Sequence, residues 1–114
     1  MSAPRGNGLL VIRTDVKSSG ADEFNDWYTN VHLPDIVGVP GFRWGRRYQL
    51  ADSGVYPPPD GLQRYLAIYE LENIEVLESE EFATTKGWGP VGAYPERTQV
   101  AVYELIKHED GRDG

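Results

Sequence analysis

The sequence contains no cysteine, and only one methionine and two histidines among its 114 residues. The first absence excludes disulfides, thiolate metal sites, cysteine nucleophiles and iron–sulfur clusters. It also argues against a small secreted scaffold and suits a cytoplasmic protein. Positive charge is scarce: 11 Lys and Arg stand against 18 Asp and Glu, for a net charge of −7. Such a chain lacks the basic face that nucleic acid or an anionic membrane surface requires. Long apolar runs are missing as well. The longest, Leu9 to Ile12, falls far short of the roughly 20 residues that cross a bilayer. Residues Met1 to Gly8 have no hydrophobic segment and do not read as a signal peptide. His32 and His108 share no ligand spacing with the scattered carboxylates, so no metal is expected. Without GxGxxG, P-loop or GxSxG patterns, dinucleotide, nucleotide and serine-hydrolase readings have no motif behind them.

What is present fits an ordinary globular domain. The chain is 39% hydrophobic and 25% charged, and its length suits one domain with a core from about residue 8 to residue 107 between polar tails. Leu9 to Thr14 reads as a strand buried on both sides. Phe24, Trp27, Tyr28 and Val31 then mark one apolar stripe of a helix. Ser19 or Asp22 caps its start, and Pro34 ends or kinks it. Gly38-Val39-Pro40-Gly41 is a stop. From Phe42 to Ala51, alternation places Phe42, Trp44, Arg46, Tyr48 and Leu50 on one face of a strand. Gly45 marks a bend, a bulge or a close approach. Arg64 to Leu71 is a third strand. A short helix carries Ile74, Leu77 and Glu81 or Phe82, and Gln99 to Lys107 is a fourth strand. The order β-α-β-β-α-β is the ferredoxin-like α+β arrangement, a four-stranded antiparallel sheet with helices on one face. Its other face would be an apolar patch, which predicts a homodimer with two sheets packed together.

Several side chains carry chemistry. An imidazole at His32, near the end of the first helix, shuttles protons near neutral pH or caps the last carbonyls, and a helix C-terminus would favour its charged form. Asp35, three residues on, orients the ring if the helix continues. Tyr28, four residues before, either donates to a developing oxyanion or is simply core. Trp44, Arg46, Tyr48, Tyr65 and Tyr69 on strands, with Trp88 on a Gly/Pro loop, suit a flat, aromatic organic ligand. Arg46 needs Glu70, Glu104 or a ligand carboxylate as partner if buried, and Arg43 and Arg47 are expected to pair with acids on a helix. Trp88 and Tyr94 suggest a lid, a dimer contact or packing on the core. His108 reads as surface.

The segment Trp27-Tyr28-Thr29-Asn30-Val31-His32-Leu33-Pro34-Asp35, followed by Val39-Pro40-Gly41-Phe42, resembles the EthD family, a branch of the dimeric α+β barrels. Its pattern is an aromatic-rich helix, H-x-P, five residues, then P-G before an aromatic or leucine. His32, Pro34, Pro40 and Gly41 stand at that spacing. The loops around Pro57-Pro58-Pro59 and from Trp88 to Tyr94 are not part of the pattern. The resemblance implies a ferredoxin-like protomer, a dimeric barrel and a functional role for the motif histidine, His32. Relatives in the wider superfamily include cyclases, isomerases, monooxygenases and accessory proteins of oxidative degradation, many without metal or organic cofactor. The expectation is a cofactor-independent isomerase, lyase or cyclase working by His-mediated proton transfer. The alternatives are a non-catalytic ligand-binding accessory protein and a monooxygenase.

Overall fold

The computed structural model describes residues 6–112. The leader and tail expectations therefore fall in part on residues 1–5 and 113–114, outside the described residues. Strand β1 (Gly8–Val16) leads through a single 3-10 turn into helix α1 (Ala21–Trp27). A wide π turn (Tyr28–His32) connects α1 to α2 (Leu33–Val37). Strands β2 (Phe42–Gln49) and β3 (Tyr65–Leu71) follow, joined by the proline-rich loop. A 3-10 turn (Ile74–Glu78), helix α3 (Glu80–Thr85) and strand β4 (Pro95–Glu104) complete the order. The sheet runs β2-β3-β1-β4 with every pairing antiparallel. This is the ferredoxin-like α+β fold.

The register defines two faces. Leu10 and Ile12 of β1 lie beside Tyr69 and Ala67 of β3, and beside Val102 and Val100 of β4. This face meets Phe24, Tyr28 and Ile36 of the helices in one buried core.

The helix departs from the sequence reading at Pro34. It neither ends nor breaks there but runs on to Val37. Proline has no N–H to give, and its ring would strike the carbonyl four residues back in a regular α-helix. The π turn relieves that crowding: the Leu33 N–H donates to the Tyr28 carbonyl, five residues earlier. The extra residue also rotates the apolar stripe. Phe24, Tyr28, His32 and Ile36 are buried in steps of four, and Val31, expected in the stripe, turns out to solvent. Neither Ser19 nor Asp22 caps α1; the N-cap is Gly20, with no side-chain bond. A Cβ at Gly20 would lie 2.1 Å from the Tyr94 ring, so packing decides that residue. Ser79 does cap α3, accepting from the Phe82 N–H at 3.2 Å.

Strand β2 also differs from plain alternation. Its pairing with β3 slips between Phe42 and Trp44, so a bulge separates them. Phe42 packs into the helix-side core with Gly45 and Arg47 on its face. Trp44, Arg46 and Tyr48 point to the opposite face. Gly45 is the close approach: a Cβ there would sit 2.8 Å from the Tyr69 ring and 2.9 Å from Val37 Cγ2. Gly45→Ala is therefore expected to lower stability by about 1–3 kcal/mol through overpacking, measured by urea unfolding. Gly54→Ala, with nothing within 4 Å of the added carbon, is the control and should leave the midpoint unchanged.

Candidate active site

A cavity of about 350 Å³ opens between the helices and the sheet, within the size range of small-molecule sites. Leu10 and Ile12 form its floor, with Thr98, Val100 and Val102 of β4 continuing it. Tyr28, His32 and Ile36 descend from the helices, and Tyr69 rises from β3. Leu77, Phe82, Lys86, Gly87 and Trp88 close the remaining side. No acidic residue lines it.

His32 is 6% exposed, and among the described residues neither ring nitrogen has a hydrogen-bond partner. Its ring stacks on Trp27 (centroids 4.6 Å apart, planes at 16°) and meets Tyr28 edge-on at 4.8 Å. In a regular α-helix residues five apart point about 140° away from each other. The π turn makes the Trp27–His32 stack possible. Burial holds the His32 pKa below its ordinary value, with the nearby Asp35 charge pulling the other way. The expected preference for imidazolium at a helix end is thus reversed, because the helix continues past His32 and burial dominates. Asp35 is exposed and acts on the ring only as a nearby charge; no hydrogen bond joins them.

Opposite the aromatic wall, the Tyr28 and Tyr69 hydroxyls share a buried hydrogen bond of 2.7 Å. The two phenols hold two hydrogens, and their mutual bond uses one. The other is free for a third oxygen in the cavity. Burial raises both phenol pKa values. Arg47 lies behind the pair, its guanidinium 4.5 Å from the Tyr28 ring centre.

The structure gathers Tyr28, His32, Tyr69 and Trp88 around one cavity. Trp88 packs on Phe24 and Tyr28, with centroids 5.5 and 6.3 Å apart. The Tyr94 hydroxyl, on the same loop, donates to Glu23 at 2.5 Å and fixes the loop to α1. Tyr65 shares the face of Tyr69 but lines a smaller pocket with Thr14 and Arg47. Trp44, Arg46 and Tyr48 do not reach the cavity, because the β2 bulge turns them to the far face. There Arg46 lies over the Trp44 ring at 4.2 Å rather than against an acid. Arg43 pairs with Glu72 at 3.6 Å. Arg47 meets amide and hydroxyl groups of the helix, not acids. His108 bonds Asp110 at 2.7 Å near the chain end. Sequence reasoning missed Trp27, Phe82, Lys86 and Arg47 as site neighbours. Only the position of Gly45 hinted at the bulge that places Arg47. Among the described residues no group of three His, Asp or Glu is placed to hold a metal ion. No described helix is long and apolar enough to cross a membrane.

A buried neutral histidine has a signature in stability. The unfolded chain binds a proton to His32 more readily than the folded one. The stability it confers is complete above the ordinary histidine pKa of about 6.5 and is lost as pH falls towards the depressed folded value. The wild-type melting temperature should therefore fall more steeply than that of His32→Gln between about pH 7.5 and about pH 5.5. Parallel slopes would mean that folding leaves the imidazole pKa unshifted.

No protein-family model matches the chain. The Core atranone cluster (CAC) protein 1 of Stachybotrys chlorohalonatus is 31% identical over 91 residues, covering 74% of this chain. The chain spans 36% of the length of that relative. Among solved structures, SnoaB, a cofactor-independent oxygenase from Streptomyces nogalater, superposes with a TM-score of 0.61 at 15% identity, over 90% of this chain and 95% of its own. An EthD family protein from Bacillus halodurans C-125 superposes with a TM-score of 0.58 at 13% identity, over 87% of this chain and 99% of its own. The chain carries the ferredoxin-like α+β fold that these two solved structures share.

Proposed function

We propose that this protein is a small-molecule enzyme whose reaction begins with proton transfer by His32 and needs no bound cofactor. The observation that carries the reading is one arrangement. A buried neutral imidazole and a phenol pair with a spare hydrogen converge on an apolar cavity. A neutral imidazole is a competent base at physiological pH. It would take a proton from a carbon beside a carbonyl, and the free hydroxyl hydrogen of the Tyr28–Tyr69 pair would bond the oxygen as charge develops there. Trp88 and Phe82 offer flat walls to an aromatic ring. Asp35 supports the base through its charge, not by holding the ring. The chemistry is that of an isomerase, lyase or cyclase.

Exchange of carbon-bound hydrogen tests the first step without knowledge of the natural substrate. Aryl ketones in D2O, followed by NMR, should lose their α-protons faster with the wild type than with His32→Gln, by about 10²–10⁴-fold, with both proteins folded. Equal exchange would overturn the assignment of the base. Absence of exchange in the wild type, with ligand still bound, would favour a non-catalytic accessory protein. An oxygenase reading shares the first step, and the fold likeness to SnoaB favours it as the second choice. Oxygen uptake that depends on the same ketone separates it from isomerisation.

The functional unit in this reading is a cytoplasmic homodimer. The helix-free face carries Leu9, Val11, Trp44, Tyr48, Leu66, Ile68 and Tyr103, and a second sheet is the natural cover for such a face. Val100 and Val102 of the terminal strand line the cavity from the helix side and are 62% and 46% exposed. Light scattering should give a dimer for the wild type and a monomer for Tyr103→Glu. A monomeric wild type at micromolar concentration would reject the assembly.

A further inference from the structure

Arg47 is a half-buried cation with no counter-ion. Its Nη2 donates to Asn25 Oδ1 at 2.8 Å and its Nη1 to Thr29 Oγ1 at 3.1 Å. Its buried Nε has no acceptor. Both acceptors are neutral, and among the described residues no carboxylate lies within ion-pair distance. Taking a charge out of water is costly unless it is paired, and an acid at residue 25 or 29 would have paired it. Aromatic rings face the guanidinium instead: Tyr28 at 4.5 Å, Tyr65 at 5.8 Å and Phe24 at 5.9 Å. The charge thus lies over the ring of Tyr28, whose hydroxyl is bonded to that of Tyr69. The cavity on the other side of that pair has no acidic lining, and its one further formal cation, the exposed Lys86, sits at the rim.

The geometry points to Arg47 as a positioning residue that polarises the Tyr28–Tyr69 pair, so that the cavity takes phenols and enolisable carbonyl compounds as their oxygen anions. This rests on the reading of the cavity as a ligand site, but not on the role of His32. The titratable groups that bear on the ligand oxygen are Tyr28 from the helix, Tyr69 and Tyr65 from β3, His32 and Lys86 in the cavity, and Arg47 behind it. Asp35 acts from outside through His32.

The probe is 4-nitrophenol, whose ionised form alone absorbs in the visible. Bound to the wild type, it should ionise about one pH unit or more below its free value, as a phenol beside an unpaired cation does. In Arg47→Met the shift should vanish, and in Arg47→Lys part of it should remain. Asn25→Asp keeps the arginine and supplies the missing counter-ion. It should abolish the shift in a protein that folds normally, which a merely structural arginine would not explain, and it serves if Arg47→Met does not fold. His32→Gln should leave the shift in place. An equal shift in the wild type, Arg47→Met and Asn25→Asp would overturn the proposal, as would its loss on Lys86→Met alone. Binding with an unshifted titration ends this inference only. A wild type that binds no nitrophenol ends it together with the ligand-site reading.

Discussion

The hydrogen bond between the Tyr28 and Tyr69 hydroxyls joins the helical layer to the sheet, and the geometry of the cavity depends on it. Both rings are almost wholly buried, and each is placed by a local irregularity. Tyr28 opens the π turn. Tyr69 packs against Gly45, where an added Cβ would meet its ring at 2.8 Å. A buried phenol without a partner is costly, so the two elements settle at the separation that lets the oxygens meet. That separation leaves His32, one helical step beyond Tyr28, facing the same space.

Pro34 gives this arrangement its cause. A proline two residues after the histidine excludes regular α geometry just where the imidazole sits. The wide turn that results brings Trp27 under the ring and Tyr28 against its edge. The H-x-P spacing is therefore a backbone instruction as much as a chemical one. On the proposed reading the histidine is the base, and the proline two places on sets where it points. Stacked on one indole and held by another aromatic edge, the ring needs no carboxylate to fix it, which accounts for Asp35 standing in solvent.

Periodicity made the strands, the first helix and the ferredoxin-like order legible, because each strand alternates or runs apolar and the helix repeats at its own period. It failed wherever one residue is inserted. The π turn sends Val31 outward and His32 inward, against the expected stripe. The β2 bulge separates Phe42 from Trp44 and so carries Trp44, Arg46 and Tyr48 to the far face while bringing Arg47 to the helix side, behind Tyr28. Both irregularities leave only faint traces in sequence, Pro34 in one case and Gly45 in the other. Neither residue states which way the following side chains will turn. Tyr28, Tyr69 and Trp88 line the cavity because they precede or escape these slips, whereas the first slip is what turns His32 into it.

The distribution of charge bears on how a ligand would use this site. The chain as a whole is strongly acidic, with a net charge of −7, and its field opposes the approach of an anion. Yet the cavity lining contains no acid, and the nearest buried charge is an unpaired arginine. On the proposed reading these two facts are complementary. A neutral phenol or ketone meets no such opposition and gains from burial against apolar walls. Once inside, it meets a neutral base and a polarised hydroxyl pair. Negative charge is then generated where the fixed dipoles and the Arg47 cation already point, with little reorganisation needed as it forms. The arrangement favours making an anion within the protein over importing one from solution.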